Sequence, residues 1–313
     1  MVLKNQKSKR ILSIIIIVLI SALLLNFLAT KIVYDTIFRR QEKEQNISSR
    51  YSELLTLREE LSFYSKDNRL AGYYYEGEEH ETLVVISPGY SAGADDYLPQ
   101  IDGFLSLGYG VFAFDPTGSY NSEGNSAVGF PQTVIDLRGA LDYLATKDNL
   151  GYESLVLFGH SRGGYASSLV CFYGYEADAI ISVSGSNSAM EGVINTSASY
   201  VGKIAYLNYP FLWAYQALLF DTELLNLKAS EVISQNEIPT LIKHSSTDTQ
   251  IPPDSGSIIA YKNVISNRNA EFILWDDENF SGHSGLLRDK EGNPNEKLME
   301  RIADFIEENR NEG

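Results

Sequence analysis

Thiols are almost absent from this chain of 313 residues. Cys171 is its one cysteine, so no intrachain disulfide can form. A single thiol suits the cytosol and suits an exported protein equally, so it does not fix the compartment. Histidine is scarce as well: His80, His160, His244 and His283 are the full set. None stands in an H-E-x-x-H or comparable metal-ligand spacing, and no metal site is expected. Basic charge is scarce beyond the first fifty residues. Residues 51–313 carry 16 Lys and Arg against 38 Asp and Glu. Binding a phosphate backbone needs a basic face, which excludes nucleic acid as a partner. The acidity reads as a solubility device. No internal repeat and no low-complexity tract interrupts the chain.

What is present is concentrated. The stretch "ILSIIIIVLISALLLNFLAT", residues 11–30, has no charged residue. As a helix it would rise about 30 Å, the thickness of a bilayer core. A cleaved signal peptide fits less well. The apolar run exceeds a signal core, and Phe27 stands two before Ala29, which spoils a small-x-small cleavage site. The expectation is an uncleaved transmembrane anchor after a basic tail over 1–10. Lys4, Lys7, Lys9 and Arg10 precede it, and Lys31, Arg39, Arg40 and Lys43 follow. The rear group is diluted by Asp35, Glu42 and Glu44, so the N-terminus is placed inside and the large domain outside. Residues 31–65 follow. Leu54, Leu57 and Leu61 recur there at helical spacing, so a stalk or packing helix is expected.

From residue 66 to 313 the pattern becomes that of a single domain. "RLAGYYYE", "ETLVVISPG", "GVFAFDPTG", "SLVLFGHS", "ADAIISVSGS", "PTLIKHSSTD" and "AEFILWDD" read as strands. Amphipathic segments such as "PQTVIDLRGALDYLATK" lie between them. Short, continuously apolar strands alternating with helices predict an α/β fold, with a mostly parallel sheet covered on both faces. Ligands in such sheets bind beyond the carboxyl ends of the strands. One connection is too long for the alternation. Residues 186–236 include the aromatic run "YVGKIAYLNYPFLWAYQALLF" and are expected to form a helical cap insertion.

The stretch "LVLFGHSRGGYASSL" holds Gly159-x-Ser161-x-Gly163 where a predicted strand meets a predicted helix. That context gives the G-x-S-x-G pattern its meaning. Small residues permit a sharp turn, and the serine projects over the N-terminus of the next helix. Free amides and the helix dipole there favour developing negative charge. A serine hydroxyl needs a base, and the base needs an orienting carboxylate. His283, in "DDENFSGHSGLL", is the histidine that is both downstream of Ser161 and in a loop after a strand. His160 touches the serine in sequence and reads as a turn residue. Asp248, in "HSSTDTQIPPDS", follows a strand and is the expected acid. Asp254, at a predicted helix start near 254, and Asp276 and Asp277 are its competitors. The order Ser161, Asp248, His283 is one known chain order for such a triad. Amide donors for an oxyanion are expected from the backbone of Arg162, and of Tyr90 in "SPGYSAG".

These stretches resemble those of the α/β-hydrolases over roughly residues 70–310. "SPGYSAG" stands in the oxyanion-loop position, "GHSRGG" at the nucleophile, "SSTDTQIPP" in the acid loop and "GHSG" at the histidine. "FDPTGSYNSEG" is similar to a glycine-rich loop of the serine-aminopeptidase-like and monoacylglycerol-lipase-like branch, a loop that often borders the site. Thr117 replaces that loop's Arg, and Pro88 stands where a His is common before the glycine. The resemblance implies hydrolysis of an ester, thioester or amide through an acyl-enzyme, with no cofactor. The expected function is therefore a membrane-anchored serine hydrolase for a lipid or short acyl ester. An aminopeptidase of the same fold is the alternative, with Glu191 or Glu223 holding a free amino terminus. A tethered, non-catalytic binding protein is the third reading.

Overall fold

A computed structural model describes residues 2–42, 49–78, 81–147, 150–289 and 291–310. Lys43, Glu44 and His80 lie outside the described residues. The chain begins with helix α1 (Val2–Ile37), followed by one helical turn, α2 (Leu54–Leu57). Strands β1 (Glu59–Ser65), β2 (Asn68–Tyr75) and β3 (Thr82–Ser87) come next, then α3 (Leu98–Ser106), β4 (Gly110–Phe114) and α4 (Phe130–Leu144). The centre of the chain supplies β5 (Ser154–His160), α5 (Arg162–Ser167) and β6 (Ala179–Val183). Four helices intervene: α6 (Ala189–Val201), α7 (Tyr209–Leu219), α8 (Thr222–Asn226) and α9 (Ala229–Ser234). Strands β7 (Thr240–Ser245) and β8 (Ala270–Trp275) and helix α10 (Glu296–Arg310) complete it.

The eight strands form one sheet in the order β1-β2-β4-β3-β5-β6-β7-β8. The first two pairings, β1 with β2 and β2 with β4, are antiparallel; the remaining five are parallel. Every residue of β3, β4, β6 and β7 is buried, which is why those strands read as mostly apolar runs, although β7 also buries Lys243 and His244. One face of the sheet packs against α4, α5 and the helices between β6 and β7. The other packs against α3 and α10. The carboxyl ends of β3, β5 and β7 converge on one edge, where the loops discussed below begin.

The structure departs from the expected stalk helix over 31–65. Helix α1 runs on past the apolar stretch to Ile37, and Phe38 just beyond it is 1% exposed. Helical structure at the leucines lasts one turn, because Arg58 is extended (φ −79°, ψ 144°). Residues 59–65 instead form the edge strand β1. Ser65 pairs with Asn68 across a two-residue turn in which Lys66 has φ 50°. Phe63 is buried against the rings of Phe112 and Phe114, with centroids 5.9 and 5.7 Å away. That burial outweighs the helical spacing of the leucines. The helix expected near 254 is also absent; the chain there forms only a short 3-10 turn at Ile258–Tyr261.

Candidate active site

Ser161 stands between the last residue of β5 and the first residue of α5. Its backbone has φ 57° and ψ −120°, a conformation that costs free energy for any residue with a side chain. The glycines around it are sterically required. A Cβ on Gly159 would lie 2.2 Å from the Gly163 carbonyl oxygen, and one on Gly163 would lie 1.9 Å from that of Ser87. The turn is therefore drawn tight against β3, and it lifts the Ser161 side chain off the sheet edge.

Three predicted residues meet there. Ser161 Oγ lies 2.8 Å from His283 Nε2, and His283 Nδ1 lies 2.7 Å from Asp248 Oδ2. A neutral His283 with its proton on Nδ1 donates to the carboxylate and accepts from the serine. Asp248 is buried, three residues past the end of β7. Its Oδ1 accepts from the amides of Gln250 and Ile251 at 2.9 and 3.0 Å. Burial alone would raise its pKa. Hydrogen bonds from His244 and His283 overcome that, and hold the carboxyl well below the usual carboxylate range. The competing acids are elsewhere. Asp254 is exposed and accepts from the adjacent Ser255 hydroxyl. Asp276 accepts from Ser246 Oγ, and Asp277 lies near Lys297.

Several neighbours carry no obvious sequence signal. His244 Nε2 donates to the Ile251 carbonyl at 2.8 Å and lies 3.1 Å from Asp248 Oδ2, so it braces the acid loop. The i,i+4 spacing of His244 and Asp248 could have suggested this. His160 is a strut. Its Nε2 donates to the His283 carbonyl at 3.2 Å, and its Nδ1 accepts from Tyr97 Oη at 3.0 Å. Tyr97 Oη in turn accepts from the Gly89 amide at 2.8 Å. Burial and the neighbouring His283 push the His160 pKa down to about 3, so the ring is neutral and this pattern is satisfied. Ser184 Oγ also donates to the His283 carbonyl, at 3.1 Å. The Gly282 amide donates to Ser245 and Thr247 hydroxyls, both at 3.0 Å. Both the oxyanion-loop segment and the histidine loop are thus tied to the strand ends.

Tyr90 and Arg162, the expected amide donors, flank the serine. Arg162 opens α5, directly after it. Tyr90 follows Gly89, where an added Cβ would come within 3.4 Å of Ser161 Cβ. The Tyr90 hydroxyl donates to the Ile37 carbonyl at the end of α1, and its ring packs edge-on against Phe38 at 5.5 Å. The Arg162 guanidinium is fully buried beneath this ring, 5.8 Å from its centroid. Nε and Nη2 have no hydrogen-bond partner among the described residues, and desolvation lowers the pKa.

Above Ser161 opens a cleft of about 930 Å³. Ile32, Val33, Thr36 and Ile37 of α1 form one wall, and Thr196, Ser197 and Val201 of α6 form another. The glycine-rich loop after β4 does not border it, contrary to expectation. Asp115 and Thr117 are buried, and Thr117 Oγ1 donates to Asp136 at 2.7 Å. Arg40 covers that loop by donating to the carbonyls of Tyr120, Ser122 and Gly124 at 2.6–2.9 Å.

Comparison with known proteins bears on the fold. Residues 78–219 match the serine aminopeptidase family S33. An esterase of Pyrococcus furiosus, Pf2001, superposes with a TM-score of 0.64 at 18% identity, covering 87% of this chain and 98% of its own. Est1E of Butyrivibrio proteoclasticus, solved with ferulic acid, gives 0.61 at 14% identity over 80% of this chain and 100% of its own. A hydrolase of Vibrio vulnificus gives 0.59 at 16% identity, covering 87% and 96%. The chain has the α/β-hydrolase fold. Its N-terminal helix is long and apolar enough to cross a membrane. No curated protein matches it in sequence.

Proposed function

We propose that this α/β-hydrolase is a membrane-tethered serine esterase that works through an acyl-enzyme. The observation that carries the reading is the hydrogen-bonded line from Asp248 through His283 to Ser161. Ser161 Oγ attacks the carbonyl carbon of the ester as His283 Nε2 takes its proton. Asp248 holds the ring and stabilises the imidazolium. The developing oxyanion is held by the backbone N–H groups of Tyr90 and Arg162, at the positive end of α5. The C–O bond then breaks, and His283 returns the proton to the leaving alcohol. Water, deprotonated by the same histidine, attacks the acyl-serine; the bond from acyl carbon to Ser161 Oγ breaks, His283 returns the proton to that oxygen, and the acid leaves.

An ester is favoured over a peptide because no Asp or Glu lines the cleft among the described residues. An aminopeptidase needs a carboxylate to hold the free amine. Glu191 is instead bound to Ser188 and Tyr261, and Glu223 is exposed. Helix α1 serves as the anchor, with the N-terminus inside and the hydrolase domain outside. Protease sensitivity of a C-terminal tag in intact cells tests that side.

The decisive experiment is labelling with a fluorophosphonate, followed by turnover of p-nitrophenyl esters from acetate to palmitate beside aminoacyl anilides. Labelling that disappears in Ser161→Ala, with turnover of esters but not anilides, is the expected outcome. A chain that is not labelled, or labels equally without Ser161, is a binding protein and the catalytic reading falls.

A further inference from the structure

The cleft above Ser161 continues into a second, apolar groove. This groove of about 450 Å³ shares Val33, Ser197 and Val201 with the cleft. It then follows α1 downward to Ala29 and Asn26, facing Ile204, Leu207 and Leu212 on the other side. From Ile37 to Asn26 the trough spans about 16 Å of helix axis. One wall is the anchor helix itself; the other is the segment that links α6 to α7.

The lower mouth of this groove lies at the level where α1 enters its uncharged stretch, residues 11–30. Asn208 Nδ2 donates to Thr30 Oγ1 at 2.7 Å, which pins the 3-10 segment Gly202–Asn208 beside Thr30. In that segment Ile204 is 66% exposed and Leu207 79% exposed. Directly below, α1 exposes Leu25 and Leu28 at 67% and 51%. Large aliphatic side chains left bare on a soluble surface each forgo about 1.5–3 kcal/mol of burial. Next to a run of exposed leucines that fits a bilayer core, hydrocarbon is the medium that covers them. Tyr206 and Tyr209, exposed at 49% and 44%, border the patch, as aromatic residues do at a membrane surface. The continuity of this patch with the anchor identifies the occupant.

We propose that the groove between α1 and the cap is the entry path for the substrate, an acyl ester lipid drawn sideways from the bilayer that holds the anchor. The acyl chain lies along Ala29 and Val33, and the ester carbonyl reaches Ser161. Leu207 and Ile204 seat the mouth of the groove in the outer hydrocarbon edge. The anchor is then a wall of the substrate site as well as a tether. This inference rests on the esterase reading above.

The test uses the full chain reconstituted in phosphatidylcholine vesicles, with 4-methylumbelliferyl palmitate dissolved in the bilayer and p-nitrophenyl acetate in the water. Ala29→Trp fills the groove, and Leu28→Trp places the same bulk on the outward face of α1. Ala29→Trp is expected to lower palmitate turnover at least about tenfold, the equivalent of losing the burial of about two methylenes. Leu28→Trp should change it less than about twofold, the ordinary effect of a surface substitution. In both variants fluorophosphonate labelling of Ser161 should persist, and in Ala29→Trp acetate turnover should fall far less than palmitate turnover. Equal losses on both substrates, or none on palmitate, would overturn the proposal while leaving the esterase intact. Absence of labelling in the unaltered chain would instead remove the esterase. Should Ala29→Trp not fold, Leu207→Asp on the opposite lip gives the same discrimination.

Discussion

The floor and the wall of the cleft are built by different means. The floor is the strand-end edge: Ser161 in its strained turn, Asp248 with two backbone amides and two histidines, and His160 linking the Tyr97 and His283 segments. Its contacts are short, polar and directional. The wall is α1 against α6 and α7, held by Tyr34, Phe38 and Tyr215 with ring centroids 4.6–5.2 Å apart, and by a Tyr215 hydroxyl that donates to Asp35 at 2.6 Å. Its contacts are mostly apolar and shape-dependent. Directional contacts set which atoms react, while shape sets what can reach them. Alterations of the floor should therefore stop chemistry in a folded protein. Alterations of the wall should change stability and substrate choice.

The largest effect is expected at the floor. Asp248→Asn keeps the shape of the side chain, but its amide can no longer accept on every side. With the wrong tautomer of His283 favoured, kcat should fall about 10⁴-fold. His283→Ala should fall at least as far. Both should keep a thermal midpoint close to that of the unaltered chain, since the surrounding core is untouched. A midpoint that collapses together with activity would show that the floor also holds the fold, and the contrast with the wall would fail.

The next effect belongs to the wall. Phe38 is 1% exposed and meets the rings of Tyr34, Tyr90 and Phe130. Phe38→Ala leaves a cavity among them and should cost about 3–5 kcal/mol of stability. Calorimetry of the detergent-solubilised full chain measures it. Because Tyr90 carries one of the two proposed oxyanion amides, kcat should also drop, by a smaller factor than in Asp248→Asn. A cost below about 0.5 kcal/mol, the range of an ordinary surface site, would mean that the end of α1 is not integral to the domain.

The same contrast explains what the sequence revealed. The turn at Ser161 was legible because its cause is local. Gly159 and Gly163 meet backbone atoms within 2.2 Å of any Cβ, so the steric rule is written in adjacent residues. The strand-by-strand reading succeeded for the same reason, since β3, β4, β6 and β7 are buried along their whole length. Asp248 and His283 could be placed only as residues in loops after strands; their meeting depends on the register of β7 and β8. The wall was not legible. Tyr215 and Asp35 are 180 positions apart, and neither carries a local pattern that names the other. Strand β1 was hidden for a related reason. Leu54, Leu57 and Leu61 imitate a helical period, and only the packing of Phe63 on β4 decides against it.

The smallest effect tests the strut within the floor. His160 has its pKa pushed down from 6.5 to about 3, chiefly by burial and then by His283. The neutral ring is the one that fits. Above pH 6.5 folded and unfolded chains both hold it neutral, and its contribution is fully present. As pH falls below 6.5 the unfolded chain takes up a proton that the folded chain refuses, so stability is lost progressively down to about pH 3. By pH 5 that loss should approach about 2 kcal/mol. Gln in place of His160 keeps polar atoms near Tyr97 and the His283 carbonyl but does not titrate. The thermal midpoint of His160→Gln should thus start slightly below that of the unaltered chain at pH 7.5 and converge on it, or pass it, by pH 5. Other acid-sensitive groups, Asp248 included, remain in both proteins and largely cancel in the difference. Two midpoint curves that run parallel from pH 7.5 to 5 would mean that the ring accepts its proton without leaving the fold, and that the floor is less rigid than its hydrogen bonds imply.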